Sequence, residues 1–154
     1  HMGVSREALC VGVSSDQSER GDFHIALREA VYAARAAGLE GMGLMAAQEL
    51  GMYTYLFPMS ENTFVCEQCR RSLSRIHEYD TQNRTNLFAT AQVYVENRME
   101  IAAAAKALFQ HPNTVRYRLQ KIQKLMGMED DAMFAPMISL MVSLSRILGE
   151  EGKM

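Results

Sequence analysis

Between residues 101 and 125 the chain reads IAAAAKALFQHPNTVRYRLQKIQKL, and the proline inside this run decides how it can fold. Ile101 to Phe109 is alanine-rich and ends in Leu108 and Phe109, a composition with high helix propensity and side chains small enough for close backbone approach. A short, tightly packed helix is predicted there. Pro112 disfavours helical geometry in His111 and has no N–H to continue a helix. It is also well suited to the first position of a new helix, with His111 in the N-cap place where Ser, Thr, Asp or Asn would be commoner. The expectation is two helices joined by a turn of about three residues, the second spanning 112–125.

In the second helix Val115, Leu119, Ile122 and Met126 recur at spacings of four, three and four, which gathers them on one inward face. Asn113, Arg116, Tyr117, Gln120, Lys121 and Lys124 are left largely outside. Such a pair of helices, with a cationic and amide-bearing outer face, fits a helix-turn-helix whose second helix enters the major groove. Asn113, Arg116, Tyr117 and Gln120 are the candidates for base-edge contacts, and Thr114 is counted among the DNA-binding residues. Arg98, Lys106, Lys121 and Lys124 are better placed for phosphates, and Arg118, flanking the apolar stripe, either braces the motif or touches the backbone. Charge supports a polyanionic partner: the chain carries a net charge of −2, yet residues 98–126 hold six basic groups against one acidic. A basic segment inside an acidic chain is what counterion release from phosphates requires. The competing reading is a solvated helix face.

The run from Asn97 to Gly127 resembles the C-terminal helix-turn-helix of the PucR-like and CdaR-like bacterial transcription regulators. The likeness is carried by Ala104, Ala105, Leu108, Phe109, His111, Asn113, Thr114, Val115, Arg116, Tyr117, Arg118 and Leu119. More distantly, the same stretch is similar to Fis-type DNA-binding helices. Two positions depart from the family pattern: Gln110 stands where an aliphatic residue is usual, and Pro112 where a basic or polar one is. The first loosens the turn's core and the second removes a phosphate contact. The resemblance implies double-stranded DNA as partner, a homodimer, and a small-molecule effector acting upstream of this segment.

With 154 residues and 48% apolar content, one sizeable core or two small ones can be buried. His1 ahead of Met2 reads as a tag remnant. No segment has the uninterrupted apolarity of a membrane span and no signal peptide is evident, so a cytoplasmic protein is expected. Three cysteines, an odd number, argue against a disulfide framework. Cys66 and Cys69 form a CxxC, but no second pair follows at metal-binding spacing. Phe64, Val65, Leu73 and Ile76 around them suggest an amphipathic helix that holds both thiols as small, half-buried residues.

Along the rest of the chain, residues 10–15 read as a strand. A helix follows over about 22–37 with Phe23, Ala26, Leu27, Ala30, Val31 and Ala34 as its inner stripe. Leu44 to Ala46 reads as a second strand, and a helix over 47–57 is closed by Pro58. A helix over 61–78 turns Phe64, Val65, Leu73 and Ile76 inward and Arg70, Arg71 and Arg75 outward. Tyr79 to Arg84 is then a turn that caps a support helix over 85–96, with Asn97 and Arg98 as its exit. A last helix over about 132–148 has more apolar surface than one buried face needs, with Asp130 and Asp131 at its N-terminus. The predicted fold class is mainly α: a C-terminal helix-turn-helix bundle preceded by a small α+β remnant of two short strands and two helices. The expected divisions are 3–60, a connecting helix and turn over 61–82, and a DNA-binding domain over 83–150. The first part resembles the tail of the degenerate GGDEF-like domain of CdaR-like regulators. It lacks the GGDEF string itself, so no cyclase activity is carried over, and an excised fragment is expected.

No phosphate-binding loop or dinucleotide fingerprint is present, and His24, His77 and His111 have no nucleophile or carboxylate partner in a motif. No enzyme activity, cofactor or metal is therefore expected. The alternative to DNA binding is a helical protein-interaction or dimerisation module, with residues 112–124 docking on protein. A thiol or metal sensor built on Cys66 and Cys69 is a third reading.

Overall fold

The computed structural model describes residues 9–16, 21–128 and 131–149, with the backbone alone for Asp131. The expected N-terminal roles of Asp130 and of the Asp131 side chain lie outside the described residues, as do residues 3–8 of the first expected division. The chain divides into two compact units, one reaching Met59 and one beginning at Ser60.

In the first unit, strand β1 (Val11–Val13) pairs in parallel with β2 (Leu44–Ala46), Gly12 lying opposite Met45. Helix α1 (Phe23–Leu39) connects them, and Asp22 caps it by accepting from the backbone N–H of His24 and Ile25. The helix lies so close on β1 that a Cβ at Gly12 would come 1.9 Å from the Ala30 carbonyl oxygen and 2.4 Å from the Ala34 nitrogen. Small residues on both sides permit that approach. This contact corrects the expected inner stripe of α1. Ala30 and Ala34 lie half-buried beside β1, while the fully buried positions are Tyr32, Ala33, Ala36 and Ala37. With the helix turned that way, Phe23, Leu27 and Val31 are exposed.

The second expected helix of this unit also differs. Ala47–Glu49 is a single 3-10 turn, and α2 (Tyr53–Glu61) contains Pro58 instead of ending before it. A proline removes one backbone bond but does not prevent residues after it from staying helical. Burial of Leu56 and Phe57 next to it holds the turn in place, the Phe57 ring packing against Tyr32 and Tyr53 with centroids 5.1 and 5.4 Å away.

The second unit is all helix among the described residues: α3 (Thr63–Asn83), α4 (Leu87–Glu96), α5 (Ile101–Ala107), α6 (Pro112–Leu125) and α7 (Asp131–Leu148). Its core draws Leu73 and Ile76 from α3, Leu87, Phe88 and Ala91 from α4, Ala104 and Ala105 from α5, and Val115, Leu119 and Ile122 from α6. Ile138, Met141 and Leu144 of α7 complete it. Helix α3 starts at Asn62, whose side chain accepts from the Val65 N–H, and continues through Tyr79 to Asn83, where a turn was expected. The polar residues that suggested a turn bond to the helix itself: the Thr81 hydroxyl donates to the His77 carbonyl and the Asn83 amide to the Tyr79 carbonyl. Arg84, in the left-handed region at φ 51°, ends the helix. Phe64, expected inward, is 71% exposed. Cys66 and Cys69 are buried on α3, their thiols directed to the carbonyls of Ser60 and Met141. Pro136 lies inside α7.

Candidate nucleic-acid interface

Ala104 and Ala105 are buried on α5, small enough to let α6 pack across it. The alanine-rich helix ends at Ala107, two residues earlier than its propensity suggests, with Leu108 as its cap residue. Phe109 then takes φ 54° and Gln110 follows, its N–H donating to the Ala105 carbonyl at 2.9 Å. His111 is the N-cap of α6: its backbone is extended and its Nδ1 accepts from the Asn113 N–H at 3.2 Å. Pro112 occupies the start of the helix, where no N–H is needed. The histidine and proline imply the break and the capped second helix; the left-handed backbone at Phe109 is not implied by them.

On α6, Val115, Leu119 and Ile122 are buried and Met126 half-buried. Asn113, Arg116, Tyr117, Gln120 and Lys124 are exposed on the other side, and Thr114 is half-buried. Arg116 donates to the Asn113 side-chain oxygen at 2.8 Å, so two candidate readers one turn apart are already oriented together. Arg118 turns toward the bundle instead and donates to the Thr90 hydroxyl of α4 at 3.1 Å. Thr90 is fully buried and its hydroxyl donates to the Asn86 carbonyl. Of the two roles considered for Arg118, the brace is the one with a bond. Lys121 is half-buried, its ammonium 4.4 Å from the centroid of the Tyr79 ring on α3. Lys106 is exposed at the end of α5. Arg98 is exposed in the link between α4 and α5, where Arg98 and Met99 both take positive φ.

Asp80 joins α3 to this framework. One carboxylate oxygen accepts from the Thr85 hydroxyl and the Leu87 N–H at 2.6 and 2.7 Å, and the other from the Phe88 N–H at 3.0 Å. A residue of α3 therefore caps α4, which in turn supports α5 and α6. That this stretch caps the next helix is legible in the sequence; that it does so from inside a helix is not. Nor are the Thr90 and Tyr79 partners legible there, since they lie far from α6 in sequence and leave no periodic signal. On α4, burial pushes the Tyr94 hydroxyl above its usual pKa. Among the described residues, no group of three or more His, Cys, Asp and Glu side chains could hold a metal ion, and no helix is long and apolar enough to cross a membrane.

Residues 87–135 match the family model of the PucR C-terminal helix-turn-helix domain. The chain is 32% identical over 82 residues to the DNA-binding transcriptional activator AdeR of Bacillus subtilis, 53% of this chain and 19% of that protein. To the proline-responsive transcriptional activator PutR of the same organism it is 28% identical over 81 residues, 53% of this chain and 20% of that one. With the purine catabolism regulatory protein, also of Bacillus subtilis, the identity is 44% over 46 residues, 30% of this chain and 9% of the relative. The chain thus spans about a fifth or less of the length of these relatives. No solved structure matches it. The matched residues take in α4, α5, α6 and the start of α7, and this region is similar to a helix-turn-helix domain of the PucR kind.

Proposed function

We propose that this chain is part of a transcription regulator that binds double-stranded DNA sequence-specifically, with α6 in the major groove. The observation that carries the reading is the exposed row Asn113, Arg116, Tyr117 and Gln120 on a capped helix whose opposite face is buried, within a domain of the PucR kind. These side chains read base edges, and Thr114 stands beside them in the first turns. Lys124, Lys106 and Arg98 contact phosphates, and Lys121 adds its charge from over Tyr79. Arg118 acts from behind by holding α6 to α4.

The regulator works as a homodimer in this reading, since helix-turn-helix proteins commonly read paired half-sites. Support for a second contact comes from α7 and α3: Val65, Met137, Leu140 and Leu144 line an apolar groove, with Phe64 and Met133 exposed. The first unit belongs to a GGDEF-like domain of the CdaR type. Its support is the open two-stranded parallel sheet, whose Val11, Val13 and Leu44 are exposed. A small-molecule effector acts through the part of the protein that precedes this segment, the protein works in the cytoplasm, and it carries out no catalysis. The relatives named as activators bear on the class of function and not on the sign of regulation here.

Selecting bound sites from a pool of random duplexes tests the proposal. A consensus sequence and a steep fall of affinity with salt are expected. Recovery of no sequence, with affinity that hardly changes with salt, would instead make residues 112–124 a protein-docking helix.

A further inference from the structure

The turn ahead of α6 holds an aromatic ring that the fold does not use. Phe109 is 95% exposed, the most exposed of the large apolar residues described. Its backbone sits at φ 54°, a region that bulky side chains rarely enter and that a glycine would occupy without strain. Neither burial nor backbone geometry accounts for phenylalanine at this place. The turn is also well tied: the Phe109 N–H donates to the Lys106 carbonyl at 3.2 Å and the Gln110 N–H to the Ala105 carbonyl at 2.9 Å. The ring's anchorage is therefore set by the turn.

We infer that Phe109 is a specificity contact to the DNA, packing its ring against a thymine 5-methyl group at the edge of the site that α6 reads. The inference rests on the proposed DNA reading and extends it to a residue outside α6. Three features favour DNA over a protein partner. Phe109 lies three residues before the first residue of α6, the end of a recognition helix that meets base edges. Of its exposed sequence neighbours, Lys106, Gln110 and His111 are a cation and hydrogen-bonding groups and Ala107 adds a single methyl group, which is not the contiguous apolar patch on which a protein hot spot is built. The thymine methyl is the apolar group that the major groove offers, and phenylalanine is among the side chains that contact it.

The probe is the duplex that the protein selects from a random pool, together with copies in which each thymine in turn is replaced by uracil, which lacks only the methyl group. For the wild type, one such replacement should weaken binding by about fourfold, the worth of one buried methyl-sized group. Phe109→Gly should raise the Tm, because strain in the turn is relieved. It should also weaken binding to the selected duplex by about tenfold, leave random duplexes nearly unaffected, and lose the penalty at that thymine. Phe109→Leu should keep part of the penalty. A structural role would move stability and affinity the same way; this role moves them apart. Unchanged affinity in Phe109→Gly, or uracil penalties equal in wild type and variant, overturns the inference while the reading of α6 stands. Failure of the wild type to select any sequence overturns both.

Discussion

Along α6 the cations differ in what holds them. Arg116 is exposed and bonded to its helix neighbour Asn113, Lys124 is exposed, Arg118 reaches Thr90 on α4, and Lys121 sits over Tyr79 on α3. Arg116→Ala should cost about 1–3 kcal/mol on the preferred duplex and relax its sequence preference, because a bidentate base contact is lost. Lys124→Ala should weaken specific and random duplexes nearly alike and flatten the salt slope by about one unit. Binding titrations of both variants at several salt concentrations distinguish the two outcomes. Arg118→Met should instead lower the stability of the helical unit by about 1–3 kcal/mol in urea unfolding, since the partly buried Thr90 contact disappears. Sequence preference should survive. Which face of α6 points outward was legible from Val115, Leu119 and Ile122, whose spacing is a local property of the helix. Which outward cations are engaged by other helices was not, because the Arg118 to Thr90 and Lys121 to Tyr79 pairings depend on how distant segments pack.

Helix α3 shows the same division between local and long-range information at the level of elements. Its apolar positions Leu73 and Ile76 marked a helix, but Asp, Thr and Asn after Tyr79 suggested a turn. These residues stay helical because Thr81 and Asn83 bond to carbonyls four residues back, and because Asp80 is engaged by α4. Asp80→Ala should leave the Leu87 and Phe88 N–H groups without their acceptor and destabilise the second unit by about 1–2 kcal/mol, as loss of a good N-cap does. Urea unfolding with an unchanged slope checks this; no change in midpoint would show that water replaces the carboxylate without loss. In the first unit, the two strands were legible from short apolar runs. The face of α1 was not, since a stripe of Phe23, Leu27 and Val31 outweighs alanines in any periodic count. The decisive residue is Gly12, which brings the helix backbone against the strand. Gly12→Ala would force a methyl group into the Ala30 carbonyl, and the backbone shift required should cost about 1–3 kcal/mol or more. Loss of the first unit's thermal transition is the expected sign.

At the scale of the whole molecule, charge and assembly combine in one measurable quantity. The chain as a whole is acidic at −2, so attraction to DNA has to come from the local cluster around α5 and α6 and not from net charge. Arg98, Lys106 and Lys124 are exposed there, three candidate phosphate contacts for each copy. Each neutralised phosphate contributes roughly −0.9 to the slope of log affinity against log salt, so one copy bound to duplex DNA should give a slope of about −3 and a dimer about −5. A dimer also places its two recognition helices one turn of DNA apart, about 34 Å, so its footprint must cover two half-sites. The two measurements should agree. A steep slope with paired half-sites supports a dimer that uses all three cations; a shallow slope with a single half-site assigns DNA reading to one copy. A steep slope over a single half-site would mean that cations beyond Arg98, Lys106 and Lys124 contact the backbone. Lys121 is then the first to examine, because leaving the Tyr79 ring for a phosphate would add one contact per copy.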